Sequence, residues 1–318
     1  MKKIVLSLAI ISLLFSCNKH EDSITTTDGN LAETVGKRGC FTDEHLKDQL
    51  AADPTLAKRM EEFELKSAQA IAEGRIVNGV LEIPVVVNVL YRTTSENISL
   101  SQIQSQIDVL NNDFNATNSD YNTANNPYSS VRANIGIRFV LDQVIRKSTT
   151  KSSWGTRDAM KKSKQGGIDP TSPTTKLNFW VCTIGGGILG YAQFPGGSSA
   201  TDGVVCDGKY VGTTGTATYP FNLGRTATHE VGHWMNLRHI WGDATCGSDL
   251  VSDTPVHNTA NYGVPEVGHR STCSGTPLEM YMNYMDYTDD RGMYMFSGGQ
   301  KSRMLAIFEV GGSRASFR

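Results

Sequence analysis

The chain of 318 residues balances 30 Lys and Arg against 32 Asp and Glu, with 39% apolar and 19% charged side chains. This composition excludes global disorder and gives enough apolar material for one large core or two smaller ones. No basic stripe with interleaved aromatics is present, which excludes nucleic acid as a partner.

Lys2 and Lys3 precede the apolar run Ile4 to Phe15. That run is too short to cross a bilayer and suits the h-region of an export signal over residues 1–16. Its end, Leu14-Phe15-Ser16-Cys17, resembles the lipobox of bacterial lipoproteins. Cys17 is therefore the expected lipidation point and the only expected membrane attachment, with simple secretion as the alternative. Removing the signal leaves 28 basic against 32 acidic residues, a mildly acidic exported protein.

Residues 17–79 are polar and charged and read as a helical pro-segment or spacer. Asp53-Pro54 opens a helix through Leu56, Met60 and Phe63 to Glu73. Arg75 is a candidate point for maturation. A compact domain is expected over residues 80–318, beginning with the β-branched run Leu81 to Tyr91, a buried strand. Ser99 and Gln102 form a capping box for a helix whose apolar face is Leu100, Ile103, Ile107, Leu110 and Phe114. Further strands are expected at 135–141, 176–184 and 202–211. Residues after His239 are loop-rich until a last helix at 299–310. The order of elements is α+β.

The stretch His229-Glu230-Val231-Gly232-His233-Trp234-Met235-Asn236-Leu237-Arg238-His239 carries the chemistry. His229 and His233, four apart, lie on one helical face and reach one metal. Glu230 is placed to take a proton from a water whose pKa a zinc ion lowers to about 7. On a straight helix His239 would stand about 15 Å along the axis from His229 and off the ligand face. For it to bind, the helix must end and the chain must bend back, which Asn236 allows because Asn tolerates the left-handed region. Three imidazoles then leave a fourth position for water, as in catalytic zinc sites. His257 and His269 read as solvated. A distant Glu ligand, Glu266 or Glu279, is the less favoured way to complete the site.

These residues resemble the extended zinc motif of the metzincin metallopeptidases, with Asn where Gly is commoner. Met282-Asn283-Tyr284-Met285-Asp286-Tyr287-Thr288-Asp289-Asp290 resembles their Met-turn. Leu189 to Pro195, Ile240-Trp241-Gly242-Asp243 and Val251-Ser252-Asp253-Thr254-Pro255 narrow the resemblance to the pappalysin family, over residues 81 to 310. It implies a twisted mixed β-sheet, an active-site helix and a loop-rich C-terminal subdomain. His229, His233 and His239 become zinc ligands, Glu230 the general acid and base, Met285 the floor under the metal and Tyr287 a phenol near it. Leu189 to Pro195 becomes a cleft-edge strand to which substrate adds antiparallel. Asp243, Asp249 and Asp253 are implied as calcium ligands. Cys246 with Cys273 matches a family disulfide, and Cys182 with Cys206 is a candidate second. Cys40, left over in the pro-segment, either occupies the open zinc position to hold the enzyme latent or pairs elsewhere. The expected protein is a monomeric zinc endopeptidase acting on protein or peptide substrates. A surface lipoprotein that uses zinc only for folding is the alternative.

Overall fold

The computed structural model describes residues 36–73, 79–121 and 126–318. The signal run, Cys17 and Arg75 lie outside the described residues. Two helices come first, α1 (Thr42–Ala52) and α2 (Leu56–Ala72). The second begins three residues after Asp53, whose carboxylate accepts from the Thr55 amide and hydroxyl. The first was not expected, because its polar sequence carries little apolar periodicity.

The sheet grows on β1 (Leu81–Tyr91). Alternation turns Ile83, Val85, Val87 and Val89 to one face and Leu90 to the other, so both faces are buried. After α3 (Leu100–Phe114) come β2 (Ile137–Ser148), β3 (Leu177–Val181), β4 (Gly190–Ala192) and β5 (Val204–Cys206). The order is β2-β1-β3-β5-β4. All neighbours are parallel except β4, which runs antiparallel to β5 at the edge. The sheet is thus mixed and the class α+β. The strand expected at 202–211 is confined to β5, because Asp207 caps a short 3-10 turn at Gly208–Tyr210.

Helices α3 and α4 (Arg225–Trp234) cover one face, and irregular chain carrying Trp154, Met160 and Ile168 covers the other. Ser99 caps α3 by accepting from the Gln102 amide. The reciprocal half of the expected box is not made: the Gln102 side chain instead bonds Gly208, Val211 and Thr216 across the core. The last helix, α5 (Gly298–Ala306), has a complete capping box from Ser297 and Gln300. Among the described residues no helix is long and apolar enough to cross a membrane.

Cys246 and Cys273 are bridged, with Cα atoms 5.8 Å apart. The second expected disulfide is absent: Cys182 and Cys206 are both free and buried. Their strands are neighbours, with Val181 opposite Cys206 and the Cys182 amide bonded to the Cys206 carbonyl. Successive side chains alternate faces, so Cys206 enters the core under α4 while Cys182 enters the opposite one. Backbone between the thiols keeps them apart. Thiol titration of the denatured, unreduced chain cut after residue 79 should therefore find two free thiols; finding none would restore the Cys182–Cys206 bridge.

Candidate active site

The site is built where α4 passes beneath β4 and β5. Helix α4 ends at Trp234 and the chain then reverses. Asn236 has φ 74°, its amide bonds the His233 carbonyl, and the Leu237 amide bonds the Gly232 carbonyl. This is the six-to-one and five-to-two pattern of a Schellman turn with Asn at the left-handed position. The reversal brings His239 back beside the helix. The His233 Nε2 lies 3.1 Å from the Nε2 atoms of both His229 and His239.

Each imidazole is held from behind. His229 Nδ1 donates to the Tyr284 carbonyl at 2.7 Å, His233 Nδ1 to the Leu237 carbonyl at 2.8 Å, and His239 Nδ1 to the Asp243 carboxylate. With the proton on Nδ1, all three Nε2 lone pairs point inward. Burial, followed by the neighbouring imidazoles, holds His229 and His233 well below the usual histidine value, so both stay neutral. Trp241 stacks on His239 with ring centroids 4.4 Å apart, and Tyr287 stands edge-on to both rings, 4.9 Å from His239 and 4.7 Å from Trp241. Met285 packs under α4 against Gly232, where an added Cβ would stand 2.4 Å from its sulfur. That contact explains the glycine between the two helical histidines.

The N-terminal segment fills the front of the site. Cys40 Sγ and the three Nε2 atoms lie within 4.8 Å of one another. The Glu230 carboxylate accepts from the Thr42 hydroxyl at 3.0 Å and from the Cys40 thiol at 3.5 Å. Burial pushes the Glu230 carboxyl up to about 8, against those hydrogen bonds and the charge of Arg38. The same burial, together with Glu230, pushes the Cys40 thiol up, so a thiolate there needs a cation beside it. Tyr287 donates to the Cys40 carbonyl at 3.3 Å. Cys40 also bridges to Gly190, and the Leu189 amide and Gly190 carbonyl bond Gly39 and Phe41. The edge strand expected to be open is therefore covered, and it is covered by a segment running parallel to it.

Three residues at this front were not singled out from sequence. Arg38, buried, bonds Asp290 at 2.5 Å, Thr226 at 3.1 Å and the Thr288 carbonyl at 3.3 Å. The other oxygen of Asp290 accepts from the Leu223 and Arg225 amides. Thr42 links Ala192 to Glu230. Only the last two positions of the Met-turn run, Asp289 and Asp290, gave any sequence signal for an acid here.

The aspartates expected to hold calcium do not come together. Asp243 orients His239; Asp249 accepts from Thr254 and the Val251 amide; Asp253 accepts from Ser297 and the Gly299 amide, tying its loop to α5. Both oxygens of Asp249 and of Asp253 accept hydrogen bonds, and one oxygen of Asp243 meets His239. His257 also differs from its expected solvated place. It is buried, its Nε2 accepts from the Met280 amide at 2.9 Å, and its Nδ1 faces Asp286 at 3.5 Å and Glu279 at 3.8 Å. His269 is half-exposed. Glu279 belongs to this separate network through Asn258 and Asn261, and among the described residues neither it nor Glu266 joins the histidine cluster.

Comparison with known proteins decides the family. A family model described as pregnancy-associated plasma protein-A matches residues 182–309. The extracellular metalloprotease of Pyricularia oryzae is 35% identical over 251 residues, covering 76% of this chain and 80% of its own. The chain belongs to the pappalysin family of metalloendopeptidases. An extracellular metalloprotease of Sordaria macrospora is 31% identical over 305 residues, covering 91% of this chain and 94% of its own. Among solved structures, a promirolysin mutant of Tannerella forsythia superposes with a TM-score of 0.80 at 37% identity, covering 88% of this chain and 97% of that one. Mature mirolysin of the same organism in complex with a cleaved peptide gives a TM-score of 0.72 at 40% identity, covering 76% and 96%.

The residues of this pappalysin fit the family's zinc ion. Tetrahedral ligands about 2.0–2.1 Å from zinc stand about 3.3 Å apart, close to the 3.1 Å between the Nε2 atoms here.

One contact of the covering segment is sensitive to pH. His45 on α1 is buried against Tyr191, Asp158 and Lys161. Burial, followed by the Lys161 ammonium, lowers its imidazole to about 4, against the pull of Asp158 and the weaker one of Asp48. A depressed base stabilises docking fully above its free value near 6.5 and loses that stability as pH falls toward 4. The full loss is on the order of 3 kcal/mol. Protection of the α1 amides against hydrogen exchange, taken relative to the intrinsic rate at each pH, should fall across that window in the full chain, more in the wild type than in His45→Gln. An equal loss of protection in both would show that His45 does not set the effect.

Proposed function

We propose that this chain is an exported zinc endopeptidase made as a zymogen, with residues 36–73 as its inhibitory segment. One observation carries the reading: three buried Nε2 atoms converge beside Glu230, and the Cys40 thiol lies within 4.8 Å of them. The greater coverage of this chain by promirolysin than by mature mirolysin is in keeping with it.

His229, His233 and His239 would hold the zinc, which when bound polarises the scissile carbonyl and lowers the pKa of water. In the latent form the Cys40 thiolate fills the position that water needs, and Thr42 occupies the Glu230 carboxylate. Once the segment leaves, Glu230 accepts a proton from the attacking water and returns it to the leaving amine. Tyr287, freed from the Cys40 carbonyl, donates to the carbonyl oxygen as charge builds there.

Substrate adds to β4 in the antiparallel sense, opposite to the parallel run of residues 39–41. That reversal places no peptide bond of the segment in productive orientation, so the segment inhibits without being cut there. Arg38 lies alongside the start of β4, where the residue just after a substrate's scissile bond would sit. Its buried partner Asp290 makes that pocket selective for Arg and Lys. The relatives named extracellular, together with the N-terminal signal, support export; a mass measurement showing an unmodified Cys17, or its loss, in the cell-derived protein would exclude a lipid anchor there.

The test is a full chain carrying Cys40→Ala, incubated with a peptide library. Hydrolysis before any processing should rise at least tenfold over wild type, with cuts concentrated on the N-terminal side of Arg and Lys. Adding Glu230→Ala should remove the activity while zinc content holds at one per chain. No rise with Cys40→Ala contradicts the latency role, cuts indifferent to basic residues contradict the Asp290 pocket, and activity retained in the double variant contradicts Glu230 as base.

A further inference from the structure

The covering segment presses apolar side chains onto one residue of the catalytic part. Leu46 of α1, Leu56 of α2 and Phe194 form a buried cluster, with Leu50 and Met60 packed at its border. Every member but Phe194 belongs to the segment, and with the segment in place Phe194 is 6% exposed. Its ring meets His233 edge-on, with centroids 5.5 Å apart. Phe194 lies two residues beyond the end of β4, at the same alternation as Gly190, whose missing Cβ would stand 3.0 Å from the Glu230 Cγ. Both positions thus face α4: Gly190 at the general base, Phe194 at the second histidine.

A large aromatic ring beside a metal ligand, whose buried apolar neighbours Leu46 and Leu56 belong to a segment that departs, is apolar surface uncovered at maturation. A chain antiparallel to β4 sets its N-terminal residues against the C-terminal end of that strand. Phe194 then borders the residues that precede the scissile bond, at the second or third position. Resting on the peptidase reading above, we infer that Phe194 is a specificity-determining residue, the wall of an apolar subsite that Leu46 and Leu56 fill in the full chain. In substrates the same place takes a bulky aliphatic or aromatic side chain.

The experiment uses the processed wild-type protein and its Phe194→Ala and Phe194→Leu variants. The substrates are peptides sharing one Arg-containing cut site and differing only in Leu or Gly at the second or third residue before the bond. Burial of a leucine side chain corresponds to about a 10- to 100-fold gain in kcat/KM for Leu over Gly in the wild type. Phe194→Ala should reduce that ratio to below about threefold, chiefly through the KM of the Leu peptide, and Phe194→Leu should restore most of it. A residue acting only to seat the segment would leave the ratio as large as in the wild type, which would overturn the inference. Hydrolysis without Leu preference in the wild type overturns it as well, leaving the peptidase reading intact. No hydrolysis of any peptide by the zinc-loaded protein overturns the peptidase reading and this inference together.

Discussion

Everything at the site depends on the reversal of the chain at Asn236. A continuing helix would carry His239 away from His229; the left-handed residue instead closes a turn whose two amides cap the open carbonyls of α4. The same turn supplies the Leu237 carbonyl that orients His233, so one backbone feature both places a third imidazole and fixes the tautomer of the second. The N-terminal segment, residues 36–73, reaches this feature too. Glu64 of α2 accepts from Asn236 and makes a two-fold contact with Arg303, whose Nε donates to the Asn236 carbonyl. The segment is therefore tied to the turn that forms the metal site as well as to the cleft in front of it.

Two ion pairs help to seat the segment. Arg38 with Asp290 is fully buried, where removing one partner leaves an uncompensated charge, while buried Arg303 pairs with a Glu64 that is only partly buried. Such pairs contribute modest net stability but strong dependence on both partners being present. Without the segment, Asp290 and Arg303 would lose these partners and be open to charges from elsewhere. In the account given above, Asp290 then takes a basic residue of substrate. Apolar burial around Phe194 has the same double use without charge.

What could be read from sequence follows the range of the interactions. The spacing of His229 and His233 and the need for a bend before His239 are local, set by helix pitch and by which residues tolerate positive φ. The β1 run and the α3 face are likewise local periodicities. The partners of Arg38 lie 188 to 252 positions away, and no pattern near Gly39 announces them. His257 was misread for the same reason, since its burial comes from Met280, Glu279 and Asp286 rather than from its polar neighbours. The Cys182–Cys206 pairing failed on parity: adjacent strands put the two thiols near in the chain map and on opposite faces in space. Aspartates 243, 249 and 253 carry the right oxygen chemistry for calcium, but sequence does not show that they turn to separate partners: Asp243 to His239, Asp249 to Thr254, and Asp253 to Ser297 and Gly299.

Zinc K-edge X-ray absorption on the full chain tests the central claim most directly. Convergence of the three imidazoles with the Cys40 thiolate predicts three nitrogen ligands at about 2.0–2.1 Å and one sulfur at about 2.3 Å, the sulfur disappearing in Cys40→Ala. A first shell with no sulfur, or with fewer than three imidazole nitrogens, would contradict the account.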